Sequence, residues 1–86
     1  MSHFIHWDPL ARKQLQKLPK EIASRIVRRV DLIKDNIMHY VESLVGRDDF
    51  KLRIGDYRLF LDVDENKKEV WIRTLRHRRE AYKHHL

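Results

Sequence analysis

Between Phe50 and Val63 apolar and polar residues alternate. Phe50, Leu52 and Ile54 are separated by Lys51 and Arg53, and Tyr57, Leu59, Leu61 and Val63 by Arg58, Phe60 and Asp62. A period of two predicts two half-buried strands. Gly55-Asp56 between them fits a two-residue hairpin turn, with glycine supplying the positive φ. Counting outward from the turn sets Ile54 opposite Tyr57, Arg53 opposite Arg58, Leu52 opposite Leu59 and Lys51 opposite Phe60. The apolar set then shares one face, and Arg53, Arg58 and Lys51 crowd the other. Like charges directly opposed across two strands are destabilising by up to ~1 kcal/mol. A stable fold does not need that cluster, so the face reads as a polyanion site, most simply phosphate groups held by Arg forks. The blander alternative is the solvated polar face that antiparallel sheets usually keep.

The chain opens on His3 to Trp7, short and rich in β-formers, which predicts a strand. Asp8 as N-cap and Pro9 in the first turn then predict a helix start. Leu10, Ala11, Leu15 and Leu18 form its narrow apolar stripe. Pro19 ends this helix and leads into a second, whose Ile22, Ile26, Val30 and Ile33 recur at spacings of three and four. Arg25, Arg28 and Arg29 read first as the second helix's solvated face. Asn36 to Asp49 has no clear period; Met38, Tyr40, Val41, Leu44 and Val45 are candidates to pack under the sheet, and Gly46 for a turn. Asp64 to Lys68 is a polar turn. Glu69 to Leu75 is the third strand of a meander, with Val70, Ile72 and Thr74 expected on one face and Trp71, Arg73 and Leu75 on the other. Glu80 to His85 has helical character, which leaves Arg76 to Arg79 at a strand-to-helix junction. The expected class is α+β: an N-terminal strand, a two-helix hairpin packed on a mainly antiparallel sheet (the three-stranded meander plus the first strand), and a short C-terminal helix.

Composition narrows the partners. Nineteen Lys and Arg against 13 Asp and Glu give a net charge of +6 and a pI near 9.9, which favours nucleic acid, an acidic protein or an anionic membrane. Eighty-six residues predict one domain, 1–86, with a modest core and an open concave surface rather than an enclosed active site. The absence of cysteine excludes disulfides and thiolate chemistry and agrees with a cytosolic setting. No apolar run reaches the roughly 20 residues of a membrane span, and no signal-peptide pattern opens the chain, so a cytoplasmic protein without a membrane partner is expected. Gly-rich phosphate loops, Gly-flanked nucleophilic serines and His-Glu-x-x-His helices are missing from the sequence. His3 with His6, and His84 with His85, lack further acidic ligands at metal spacing. Neither a metal nor a cofactor is expected.

What remains is a basic and aromatic constellation: Lys51-Leu52-Arg53-Ile54-Gly55-Asp56-Tyr57-Arg58, then Arg76-His77-Arg78-Arg79-Glu80-Ala81-Tyr82. With the segment Ala11 to Val30, centred on Lys17-Leu18-Pro19-Lys20-Glu21-Ile22, it resembles the RelE branch of the RelE/ParE toxin superfamily over nearly the whole chain. The resemblance implies a cytoplasmic microbial toxin of a type II toxin-antitoxin pair. Such a toxin enters the ribosomal A site against 16S rRNA, cleaves mRNA there to inhibit translation, and is blocked by an acidic RelB-like antitoxin. It implies catalytic roles for Lys51, Arg58, Arg76 and Tyr82, and RNA contacts for Arg53, His77, Arg78 and Arg79. Where some members carry a further Lys, two residues before Lys51, this chain has Asp49. Two other classes stay open: a gyrase-poisoning ParE, which shares the fold without depending on the basic cluster and C-terminal Tyr, and a module that holds RNA or an acidic protein without cleaving.

The chemistry can also be argued from the residues. Metal-free RNA cleavage proceeds by attack of a 2′-hydroxyl on the adjacent phosphorus. It needs a base for that proton, cations for the phosphorane charge and an acid for the leaving 5′-oxygen. Lys51 is the best base candidate, because Arg53 and Arg58 nearby disfavour its ammonium form. Arg58 and Arg76 suit charge stabilisation. Tyr82 suits stacking or phosphate orientation, and Arg76, Tyr82 and His77 all stand as proton donors.

Overall fold

The computed structural model describes residues 3–44 and 49–79. Its elements run β1 (Phe4–Trp7), α1 (Pro9–Gln16), α2 (Lys20–Ile33), a 3₁₀ turn (Lys34–Asn36), α3 (Ile37–Tyr40), β2 (Glu42–Ser43), β3 (Asp49–Ile54), β4 (Tyr57–Asp64) and β5 (Glu69–His77). The α+β class is as expected. The five strands form one sheet in the order β1-β5-β4-β3-β2, with β1 parallel to β5 and every other pair antiparallel. The expected helix over Glu80 to His85 and the turn at Gly46 lie outside the described residues. Among the described residues no helix is long and apolar enough to cross a membrane.

The β3–β4 register matches the sequence count at each of its four predicted pairs. Gly55 has φ 58° at the first turn position, where a tight hairpin favours glycine. Arg78 N–H donates to Asp56 C=O at 2.7 Å, tying the end of β5 to this turn. The helices cover one face of the sheet. Ala11, Ile26, Val30, Ile33 and Ile37 meet Leu52, Leu59, Leu61, Val70, Ile72 and Leu75, all under 5% exposed, and each fully buried Ile or Leu is worth roughly 1.5–3 kcal/mol.

Three expectations change. Leu10 is 53% exposed and lies outside the α1 stripe, because a helix this short turns only Ala11 fully inward. In the aperiodic stretch the buried residue is Ile37, while Met38 and Tyr40 face solvent, and Glu42–Ser43 adds an edge strand too short to show a period. On β5 the faces switch part-way, because a β-bulge intervenes. Phe60 pairs with Thr74 and Leu61 with Ile72, leaving Arg73 as the extra residue. Leu75 therefore joins Val70 and Ile72 in the core, and Thr74 moves to the opposite face. Arg73 Nε donates to Asp62 at 2.7 Å and its Nη1 to Asp8 at 3.3 Å, with the guanidinium 5.2 Å from the Trp71 ring. Asp8 sits at the N-cap position of α1, but its carboxylate holds Arg73 rather than the helix N–H groups.

Two side-chain ties fix the flanks of β5. His3 is buried, and its Nε2 meets Glu65, a contact that holds the Glu65 carboxyl below the usual carboxylate range. Beyond Trp7 the strand β1 gives way to α1, and Gln14 Oε1 takes over by accepting the Leu75 N–H at 2.6 Å. Gln14→Leu keeps the shape and strands that partly buried donor. It is expected to cost ~1–3 kcal/mol, read as a melting temperature lower by about 4 °C or more. An unchanged melt would show that Gln14 does not anchor β5.

Candidate nucleic-acid interface

The sheet face turned away from the helices is arranged in cross-strand rows. At the hairpin end Arg53, Arg58 and Arg76 lie side by side on β3, β4 and β5. The next row holds Glu42, Lys51, Phe60 and Thr74. The third holds Asp49, Asp62, Trp71 and His6, and the last Asp64, Glu69 and Phe4. Charge thus passes from positive to negative along the strands. In the third row His6 stacks on Trp71 at 4.1 Å and pairs with Glu69 at 3.2 Å.

The bulge decides what the basic end contains. Unbroken alternation from Val70 with Arg73 in the ladder would turn Arg76 toward the helices; with Arg73 bulged out, Arg76 stands beside Arg58. Strand β5 also runs to His77, two residues past the predicted boundary, so Arg76 is fixed in a ladder rather than held in a junction. Neighbouring side chains in such a row lie about 4.5–5.5 Å apart at Cβ, close enough for adjacent guanidinium forks to share one phosphate.

The structure brings Lys51, Arg53, Arg58 and Arg76 together, and it sends His77 elsewhere. His77 pairs with Tyr57, meets its ring edge-on at 5.2 Å and lines a cavity of about 470 Å³ with Gln14, Lys17 and Leu18 of the helical layer. Its Nδ1 accepts the Arg79 N–H at 3.2 Å. Arg78 and Arg79 are exposed just past β5, and Tyr82 lies outside the described residues.

Two members of the face were not singled out from the sequence. Glu42 Oε2 lies 3.4 Å from Lys51 Nζ. The sequence offers Arg53 and Arg58 as neighbours of Lys51, and the structure adds this carboxylate. No sequence signal marked Glu42, since it lies in the stretch without period. Phe60 is half-buried between Lys51 and Thr74. It had a readable signal: it is an aromatic on the polar side of an alternating strand, where base stacking is worth roughly 1–3 kcal/mol per base.

A family model described as the ParE toxin of a type II toxin-antitoxin system, parDE, matches residues 5–82. The chain belongs to the RelE/ParE superfamily of toxins. Among solved structures, a chain of the RelBE2 toxin-antitoxin complex from Mycobacterium tuberculosis is 25% identical with a TM-score of 0.83, over 91% of this chain and 100% of that one. A chain of the archaeal RelE-RelB complex from Pyrococcus horikoshii OT3 is 27% identical with a TM-score of 0.78, over 91% and 97%. The isolated RelE toxin of E. coli, at 22% identity and a TM-score of 0.69 over 99% and 100%, shares the fold. No curated protein matches the sequence significantly. These RelE neighbours support the RelE branch of the superfamily.

For this RelE/ParE chain, Glu42→Gln is expected to raise affinity for a short single-stranded RNA by up to about fivefold at low salt. That is the scale of releasing one exposed ion pair, and the gain should fade as salt is added. Fluorescence anisotropy measures it; a loss of affinity would show that Glu42 helps bind RNA rather than competing with it.

Proposed function

We propose that this protein is the toxin of a type II toxin-antitoxin pair and acts as a ribosome-dependent mRNA endoribonuclease that cleaves in the A site. The observation that carries this reading is the row Arg53, Arg58 and Arg76. Three like charges abreast work against folding, and a bulge is built into β5 to complete the row. A phosphate diester passing through the phosphorane state supplies the negative charge such a row is suited to meet. Lys51 and Phe60 stand in the adjoining row. Lys51 serves as the base for the 2′-hydroxyl once RNA and ribosome displace Glu42, Arg58 and Arg76 stabilise the phosphorane, and Phe60 stacks on a base beside the scissile bond. Arg53, Arg78 and Arg79 hold flanking phosphates, and Tyr82 orients the phosphate or the leaving group. The acidic third and fourth rows repel phosphates, so the strand is confined to the hairpin end of the sheet.

The antitoxin partner is an acidic, RelB-like protein, a reading supported by the RelB-RelE complexes among the structural neighbours. Long-range attraction between such a partner and a chain of charge +6 speeds their encounter. A second reading, gyrase poisoning, is favoured by the ParE description of the matching family model. Primer extension on mRNA after induced expression separates them. Ribosome-dependent cuts support the nuclease. Intact mRNA with trapped gyrase complexes supports the ParE activity, and neither outcome leaves a binding module. Co-expression of the antitoxin is expected to restore growth in the first two cases.

A further inference from the structure

The open face of the sheet is electrically divided. Residues 9–30 hold seven Lys and Arg and one acid, so the rest of the chain, with twelve of each, is balanced. On the sheet that balance is segregated by row. Lys51, Arg53, Arg58 and Arg76 occupy the two rows nearest the hairpin turn, and Asp49, Asp62, Asp64 and Glu69 the two farthest from it. Among the described residues of these rows, Glu42 is the one acid in the basic half. Successive rows are two residues apart, so the outermost rows stand about 20 Å from each other. The acidic end is concave. A cavity of about 760 Å³ there is lined by the four carboxylates together with Trp71 and Arg73. Phe60 and Trp71, both half-buried, lie in the two middle rows.

A face with this pattern is complementary to itself. Place a twofold axis between two facing sheets, in the plane of contact and running across the strands between the second and third rows. Each strand then lies antiparallel over its own copy. Counting residues from the axis sets Arg58 over Asp64 of the second copy, Arg76 over its Glu69 and Lys51 over its Asp49. Each pairing occurs twice, because such a contact is isologous. Sheets that pack face to face stand ~10 Å apart, a gap that a long basic side chain and a carboxylate span end to end. The Phe60 and Trp71 rings of both copies gather about the axis, at the centre of the patch, where interfaces carry their aromatic anchors. The carboxylates have room for these partners. Glu69 lies 3.2 Å from His6, and one oxygen of Asp64 accepts two N–H groups of its own turn, while a carboxylate offers about four acceptor sites. Nor does the net charge of +6 forbid the contact. The seven cations of residues 9–30 are exposed on the helical layer, so both sheets separate them from their counterparts, well beyond a Debye length of ~8–10 Å. A nucleic acid matches only the basic rows and a basic protein only the acidic ones. A second copy matches both.

We propose that this protein forms a symmetric dimer in which two sheet faces lie against each other, each covering the basic rows of the other with its acidic rows. The face measures about 20 Å by 20 Å, at the small, transient end of protein interfaces. The dimer is therefore weak and salt-sensitive, and RNA that takes the basic rows dissociates it. Self-association closes the sheet when the chain is concentrated and unoccupied. The proposal does not depend on whether the sheet cleaves.

The test is sedimentation equilibrium of the full chain at low salt. The parent mass is expected to rise from 10.6 kDa toward twice that value between micromolar and millimolar concentration. It should return to the monomer when a short single-stranded RNA, or salt to about 0.5 M, is added. Two charge-reversed pairs locate the contact: Arg76→Glu with Glu69→Lys, and Arg58→Glu with Asp64→Lys. Each variant alone sets like charges together twice per dimer and is expected to weaken association about tenfold or more. Mixing the two members of a pair should restore it, since every reversed residue then meets an opposite charge. Melting temperatures are read alongside, and the first pair decides the matter if Asp64→Lys unfolds through its turn. The proposal is overturned if the parent stays monomeric to millimolar concentration, if both variants of the first pair associate as the parent does, or if mixing them restores nothing. A mass that climbs past the dimer also overturns it, because a head-to-tail chain uses the same charges without closing. So does a monomeric parent that binds polylysine and loses it in Glu69→Lys, which gives the acidic rows to a basic partner.

Discussion

Cleavage of a message fixed in the ribosomal A site is expected to outpace cleavage of the same RNA free in solution by several orders of magnitude, in single-turnover reactions at matched protein concentration. The open sheet explains why. Its hairpin end presents cations and the Phe60 ring, its nearest base candidate is paired with Glu42, and His77 is turned toward the helices. Nothing in the described residues encloses a strand or aligns its 2′-hydroxyl for in-line attack. Correct positioning is worth roughly 7–11 kcal/mol in favourable cases, so a partner that bends and holds the codon supplies most of the acceleration. Free RNA is still expected to bind through its phosphates, weakly and with strong salt dependence. Comparable rates in the two settings would show that the chain carries a complete ribonuclease site by itself.

Arg58→Ala is expected to lower activity on the ribosome by about 10²–10³, the scale of removing one preorganised charge-stabilising donor, while folding stability stays within ~1 kcal/mol of the parent. Stability and function should separate because Arg58 occupies the middle of the row, between Arg53 and Arg76. Its loss leaves a cationic gap where the phosphorane would form and removes two like-charge neighbours at once. Arg58→Lys is expected to recover only part of the rate, since an ammonium cannot offer a planar fork to two oxygens. A variant that unfolds, or that cuts as well as the parent, would show the row to be architectural. Chemical denaturation and single-turnover cleavage on the same preparations decide between these outcomes.

Most of this architecture was readable from spacing. The β3–β4 pairing followed from alternation around Gly55-Asp56, because a two-residue turn leaves one register that keeps Leu52, Ile54, Tyr57 and Leu59 on the core side. The α2 stripe followed from Ile22, Ile26, Val30 and Ile33 in the same way. The pattern failed where a single residue carried the information. At β5, Arg73 and Thr74 read as ordinary alternating positions, and only the tertiary pull of Asp62 and Asp8 on Arg73, with Leu75 filling the core, fixes which residue goes unpaired. The short β2 has no hydrophobic period of its own, so the Glu42 carboxylate beside Lys51 could be found only from the pairing itself. The charge on the helices was visible as composition, but not that Lys17 lines a cavity with Tyr57 and His77, or Arg25 one with Gly55 and Asp56.

The bulge at Arg73 also bears on how such a site can diversify. Arg76 and His77 are consecutive residues on opposite faces of one strand, and the pairing of Thr74 with Phe60, just past the unpaired Arg73, sets Arg76 on the face of the row. Deletion of Arg73 would leave Thr74 opposite Phe60 and Arg76 opposite Arg58, whereas taking Arg73 into the ladder at full length would set Leu75 beside Arg58 and turn Arg76 toward the helices. The bulge is therefore the place where this strand can lose one codon without moving the basic row. An alignment that sets the gap C-terminal to Arg76 instead would match residues from opposite faces of the strand.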